Sequence, residues 1–456
     1  MGKKFVVLVL LTFVFALPVR AQRIYSYFNH AEYNSYTDPY RNIPRNGDDL
    51  EAVLLHYISQ AKSSILVAIH ELRLPRVAQA LADAKNQRGV NVMVVLENTY
   101  NNTFVHLTQG QIRDLPDYYR SKYLESLALL DQNQDGRVTE FERSKGDAIY
   151  ILQKNKIPLV DDTFDGSAGS GLMHHKFMII DEATLIVSSA NFTTSDIHGD
   201  MLNLQSRGNA NGLMVFESYE LSSIFKTEFF IMFGDGTYGS GRSFFGARKP
   251  YRGIQTVMVG GVPVSVQFAA SPSNIDWRYS TNGFIAQSLA SAKLKVLMAL
   301  FVFSDQQLVD ILETRHDAGV FVSALIDPNF ASRDWSEMLD MWGIKMRNRE
   351  TCRYEDGNRV WENPIEYGGI PQLPYGDKLH HKFAVIDDSK VLFGSQNWSY
   401  SGAFTNDENI LLIQSPNVAH MFSLEYQRLV RISRFGPTER IINQIKEIEM
   451  ICSGYN

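Results

Sequence analysis

Two short stretches of this chain could do chemistry on a phosphodiester, and they are copies of one another. His174-His175-Lys176 leads into an apolar strand that ends at Asp181, and His380-His381-Lys382 into one that ends at Asp387. Met173 to Ser195 aligns without gaps against Leu379 to Ser401, setting Asn191 over Asn397 and Ser189 over Ser395. Farther on, the same register sets Asn203 over Asn409 and Leu202 over Glu408. Displacement at phosphorus needs a nucleophile, an acid for the leaving oxygen, and positive charge or donors around the remaining oxygens. One imidazole from each copy supplies the first two, Lys176 and Lys382 the charge, and Asn191 and Asn397 the amide donors, so no catalytic metal is expected. Two half-sites in one chain imply one site closed by internal symmetry, and a monomer suffices to build it.

The middle histidines, His175 and His381, read as structural, because alternate residues of a strand face opposite sides. Asp181 and Asp387 are expected to cap or hydrogen-bond the strand ends and not to touch phosphate.

Both copies read HxKx4D followed by (G/S)SxN, and this pattern resembles the phospholipase D superfamily over nearly all of the mature length. The whole layout resembles a bacterial secreted phospholipase D-like protein. The resemblance implies that one motif histidine becomes a covalent phosphohistidine while the other protonates the leaving group and then activates water. By position, it assigns His174 as nucleophile and His380 as acid and base. It also implies a carboxylate behind each histidine to fix its tautomer. Glu408 holds the expected place for His380, whereas the matching residue of the first copy is Leu202, with Asp200 as a nearby substitute. Ser188 against Gly394 is a second departure. Gly394 to Asn409 resembles the compact nuclease and cardiolipin-hydrolase branch. Phospholipid headgroups are the first substrate reading, with transient membrane-surface contact, and nucleic acid the alternative. A calcium-dependent surface-binding protein without activity is a third reading, opposed by the intact His, Lys and Asn sets. Tyr354, Trp361, Tyr367 and Tyr375, ahead of the second motif, could box a choline ammonium, stack a base, or simply pack.

The elements that must position these residues are also repeated. Ser63 to Asn98 parallels Leu294 to Asn329: an apolar strand, an amphipathic helix, a turn glycine (Gly89, Gly319) and a second apolar strand. Such crossovers build sheets with helices on their faces. The fold class is therefore α/β: two α/β sandwich repeats related by a pseudo-twofold, with the active site at their interface. The first repeat is expected over 22–233, a connection over 234–262, the second repeat over 263–434 and a C-terminal tail over 435–456. The connection mixes glycine and serine with Arg242, Arg248, Lys249 and Arg252 and reads as a linker, or as a short basic contact for phosphates.

The first repeat also contains an insertion at about 117–151. Asp131, Asn133 and Asp135 supply oxygens at positions 1, 3 and 5 of an EF-hand-like loop, Arg137 a backbone carbonyl, Thr139 position 9 and Glu142 the bidentate carboxylate, with Gly136 at the sharp turn. A structural Ca2+ is the expected cofactor, against a solvated acidic turn. Val138 has no second complete loop to pair with.

Length and composition bound the rest. The 456 residues favour two domains, and 45% apolar with 21% charged residues describe an ordinary folded chain. A net charge of −6 disfavours a broad basic surface for coating DNA. Lys3 and Lys4, the apolar run Phe5 to Leu17 and the small-residue site at Val19-Arg20-Ala21 have the layout of a signal peptide over 1–21, so a secreted or periplasmic protein is expected. Cys352 and Cys452 either pair in such a compartment or remain two buried thiols.

Overall fold

The computed structural model describes residues 23–169 and 171–453. The expected signal segment lies outside the described residues. Apolar runs rich in Val, Ile, Leu and Phe pair into two mixed sheets, as strands buried on both faces require. The first has seven strands in the order Ile24–Phe28, Gly212–Glu217, Thr184–Ser188, Lys176–Ile180, Ser64–Ile69, Asn91–Leu96 and Leu159–Asp161. The second has nine: Gln255–Val259, Val262–Phe268, Asn409–Ile413, Lys390–Gly394, Lys382–Ile386, Lys295–Leu300, Phe321–Ile326, Gly368–Pro371 and Ser433–Phe435. In each, the motif strand runs antiparallel to the first strand of its strand-helix-strand unit, which is parallel to the second.

The inner faces of the sheets share one core. Phe177, Phe225 and Phe229 from the first repeat and Phe383, Phe393 and Phe422 from the second all belong to it, with helices Tyr219–Phe233 and Pro416–Arg431 contributing from either side. Each outer face has a core of its own, under helices Leu50–Gln60 and Pro75–Arg88 in one repeat and Thr281–Ala290 and Gln306–Asp317 in the other.

The connection differs from a solvated linker at its C-terminal end. Lys249 is fully buried, its Nζ 2.5 Å from both Glu228 and Asp407, and Arg252 lies 2.9 Å from Glu228. Gln255–Val259 then forms the edge strand of the second sheet. In the tail, helix Glu439–Cys452 packs on the second repeat's outer core. Cys452 forms a disulfide with Cys352 across a separation of 100 residues.

Candidate active site

Backbone hydrogen bonds beside the two motifs join the repeats. His174 N–H donates to Asp407 O and His380 N–H to Ala210 O, both at 3.0 Å. Asp407 N–H donates to Leu172 O and Ala210 N–H to Lys378 O, both at 2.8 Å. Each histidine is therefore fixed by the segment of the opposite repeat that enters its last central strand, and the two half-sites face one another.

The buried side chains follow the same symmetry. Lys176 Nζ donates to His174 O at 2.9 Å and Lys382 Nζ to His380 O at 2.7 Å. Both lysines are fully buried, while His174 and His380 keep 6% exposure each, an opening for substrate. His175 and His381 turn the other way, Nε2 lying 3.2 Å from Glu228 and 2.9 Å from Glu425. Asp181 accepts the N–H groups of Lys62, Ser63 and Ser64, and Asp387 those of Lys293, Leu294 and Lys295, at the far ends of the strands. The amide oxygens of Asn191 and Asn397 are buried without hydrogen-bond partners.

Glu408 does not support His380. Its Oε1 lies 2.8 Å from His174 Nδ1, close though off the line of an aligned hydrogen bond, and its Oε2 accepts from Ser395 Oγ at 2.6 Å. Nδ1 of His380 instead faces Asn211 Oδ1 at 3.0 Å, which also accepts from Ser189 Oγ at 2.8 Å. Asn211, not Leu202, is thus the counterpart of Glu408, and Gly212, not Asn203, that of Asn409. Leu202 is 59% exposed. Asp200 supports no histidine: its N–H donates to Ser206 Oγ, and its carbonyl accepts from Arg41. The nearer acid is Asp196, 3.9 Å from His380 Nδ1, which accepts the Asn191 N–H at 2.7 Å and a bond from Asn209.

The ungapped register fails after Ser195 because the first repeat takes a longer path to its last central strand. Aligning by strand pattern, Asn211-Gly212-Leu213-Met214 against Glu408-Asn409-Ile410-Leu411, restores the match. It also explains Ser188 against Gly394. A Cβ on Gly394 would come within 2.2 Å of Asn409 O, whereas Ser188 Oγ donates to Gly212 O at 3.1 Å. The side chain absent from one strand is present on its neighbour, and Asn409 uses the space to reach His175 Nδ1 at 3.1 Å.

A further residue escaped the pattern. His70, at the end of Ser64–Ile69, packs its ring 4.8 Å from that of His174, and its Nδ1 donates to Met173 O at 3.1 Å. Its counterpart is Phe301, 4.7 Å from His380. Its signal was a histidine closing an apolar strand beside the motif strand.

Electrostatics shift the titrating groups of the site. Burial, then the ammonium groups of Lys176 and Lys382, push His174 well below its ordinary pKa, and burial, Lys382 and Lys176 do the same to His380. Burial brings Lys176 down to about 8 against the pull of Glu408, Asp196 and Glu71. Burial likewise raises Glu408 to about 7, with Lys176 and Ser395 opposing. The arrangement can take an anion between the two lysines and present an imidazole Nε2 from either side.

The EF-hand-like loop joins helices Asp117–Leu130 and Glu140–Gly146. Asp131 accepts from the N–H groups of Asp135 and Gly136, and Asp135 from that of Arg137. Thr139 and Glu142 form a capping box, and Glu142 Oε1 is buried without a hydrogen-bond partner. Among the described residues, no three His, Cys, Asp or Glu side chains gather closely enough to hold a metal ion.

Two α/β repeats that set a His and Lys pair against its copy define a phospholipase D-like protein. The family described as "Cardiolipin synthase, PLD-like domain" matches residues 54–230 and 285–430, and the chain belongs to that family. It is similar to the mitochondrial cardiolipin hydrolase of Mus musculus, 24% identical over 170 residues, covering 37% of this chain and 65% of the mouse protein. To that of Homo sapiens it is 25% identical over 157 residues, covering 34% and 52%. The chain therefore spans less than two-thirds of these relatives. Among solved structures, the phosphatidylserine synthase of Haemophilus influenzae Rd KW20 has a similar fold over 96% of this chain and 95% of its own, with a TM-score of 0.55 and 13% identity.

Proposed function

We propose that the protein is a phosphodiester hydrolase of phospholipase D type, acting on phospholipid headgroups through a phosphohistidine. The observation that carries this reading is the pair of buried histidines, each with Nδ1 facing a side chain of the opposite repeat just ahead of its last central strand, Glu408 for His174 and Asn211 for His380. His174 is the nucleophile. Glu408 holds its proton on Nδ1, leaving the Nε2 lone pair to attack phosphorus. His380 is the acid: its Nδ1 meets the neutral Asn211 at 3.0 Å and a carboxylate, Asp196, only at 3.9 Å, so its imidazolium is held less tightly than one beside Glu408 and the proton on Nε2 passes to the departing alkoxide as the P–O bond breaks. Neutral His380 then takes a proton from water, the water oxygen attacks phosphorus, and the P–N bond to His174 breaks. Burial and, after it, the lysine charges keep His380 unprotonated, and arrival of the phosphodiester anion offsets the lysine part. Lys176, Lys382 and the amides of Asn191 and Asn397 stabilise the charge on the remaining oxygens.

The mitochondrial cardiolipin hydrolases to which the chain is similar favour a phospholipid, as does the acidic balance. A nuclease of the same superfamily is the second reading. Assay of the purified protein on phosphatidylcholine, cardiolipin, and single- and double-stranded DNA decides between them: lipid turnover alone is expected, and DNA turnover alone would overturn the first reading.

Ca2+ is proposed as a structural ion held by Asp131, Asn133, Asp135, the Arg137 carbonyl, Thr139 and Glu142. The all-oxygen donor set and the orphaned Glu142 Oε1 support it. The disulfide supports a secreted or periplasmic location. No helix among the described residues is long and apolar enough to cross a membrane. A monomer is proposed, since both half-sites lie in one chain.

A further inference from the structure

The insertion borders the active site. Helix Asp117–Leu130 is fastened to the loop behind Asp196, because the Glu125 carboxylate accepts the N–H of Met201 at 2.5 Å and of Leu202 at 3.3 Å. With the loop that follows Asn98–Tyr100, this helix encloses a cavity of about 590 Å3. Tyr100, Phe104, Val105, Tyr119, Tyr123 and Leu130 make it largely apolar. Phe104 and Tyr123 stack at 5.2 Å, giving the wall a fixed surface.

One end of this cavity is linked to the catalytic centre through two rings, Tyr100 of its lining and His70 behind it. The Tyr100 ring lies 4.9 Å from that of His70, and His70 lies 4.8 Å from His174. The same lining includes Arg73 and Lys122, and the Lys122 ammonium feels the charges of Glu71, Asp196 and Asp200 around the site. The cavity is thus largely apolar, with Arg73 and Lys122 in its lining beside Glu71 and Asp147, a shape and polarity that suit a hydrocarbon chain on a phosphate ester. Among the described residues the second repeat has no counterpart of helix Asp117–Leu130, and it places Phe301 where the first has His70.

We infer that this cavity holds a hydrocarbon chain on the part of the substrate that stays bonded to phosphorus during the first step. The inference rests on the proposed roles of His174 and His380. The leaving oxygen must face His380, so a substituent lodged along the His174 flank remains on the phosphohistidine. A phosphodiester bearing an alkyl or acyl chain fits this geometry.

Calorimetry on the full chain tests the cavity apart from turnover, with methyl phosphate, octyl phosphate and thymidine 5′-monophosphate as probes. Octyl phosphate should bind roughly tenfold or more tightly than methyl phosphate, since each buried methylene adds to affinity. Ser126→Phe, from the helix wall, and Thr103→Phe, from the loop wall, should each shrink that ratio toward one, with circular dichroism to confirm folding. Equal affinities in the wild type, an unchanged ratio in both folded variants, or tighter binding of the nucleotide than of octyl phosphate would overturn the inference. The kinetic arm compares p-nitrophenyl octyl phosphate with p-nitrophenyl methyl phosphate. A higher kcat/KM for the octyl diester supports the inference. Equal kcat/KM values overturn it while leaving the hydrolase reading standing. Chain-dependent binding with neither diester turned over upholds the cavity and overturns the hydrolase reading instead.

Discussion

The Glu408 carboxylate lies 2.8 Å from His174 Nδ1 although the two belong to opposite repeats. Neither half of the chain therefore contains a complete catalytic histidine. The reciprocal contact, His380 to Asn211, lacks the charge, so the pseudo-twofold is broken where the two roles must differ.

Restoring that charge should change the pH profile in one direction. Asn211→Asp places an anion beside His380, raises the pKa of the acid, and should move the alkaline limb of kcat/KM to higher pH. Glu408→Gln should instead lower kcat by roughly 10- to 100-fold or more, because the His174 tautomer is no longer enforced. Profiles of both variants between pH 5 and pH 9 check the pair; an unmoved alkaline limb in Asn211→Asp would remove His380 from the acid role.

Glu408 should also carry a stability cost. Burial raises its folded pKa to about 7 from the ordinary 4.5. Its favourable contribution is fully present below the unfolded value and is lost as pH rises through about 7, because the folded site must then hold a buried anion. Relative to wild type, Glu408→Gln should gain more at pH 8 than at pH 5, by roughly 1–3 kcal/mol. Denaturant unfolding at both pH values measures it. The depressed histidines act oppositely, adding stability at high pH that is lost on acidification.

The duplicated motif made much of this site legible. His174, Lys176, Asn191 and their copies are local in sequence and fall on matched strands, so register alone pairs them. Three features were not legible. The partner of Glu408 is set by how the repeats dock, which no spacing within either repeat encodes. The match of Asn211 to Glu408 is hidden by the longer loop after Ser195, and becomes visible only when strands, not residue counts, are aligned. Lys249 was likewise unreadable, since a short basic stretch looks the same whether solvated or, as here, buried between Glu228 and Asp407.

Reduction of the Cys352–Cys452 bridge should destabilise the second repeat by roughly 4–5 kcal/mol in the chain-entropy account of a loop this long. Urea unfolding with and without reductant measures it, and a Cys352→Ser variant should reproduce the reduced curve.

Calcium should raise the melting temperature of the wild type, and Glu142→Gln should bring it toward that of the chelated protein. Turnover at low temperature should change little. Loss of activity on chelation without any change in melting or circular dichroism would move the ion into the active site.

The central claim is that His174 attacks phosphorus and His380 handles the protons. Its most direct measurement is phosphoenzyme trapping with a diester whose leaving group needs little protonation, such as p-nitrophenyl octyl phosphate, followed by acid-lability analysis and peptide mapping. His380→Ala should accumulate an acid-labile phosphohistidine at His174, because the first step survives while water is no longer activated. A phosphohistidine at His380, trapped in His174→Ala and absent from His380→Ala, would contradict the assignment.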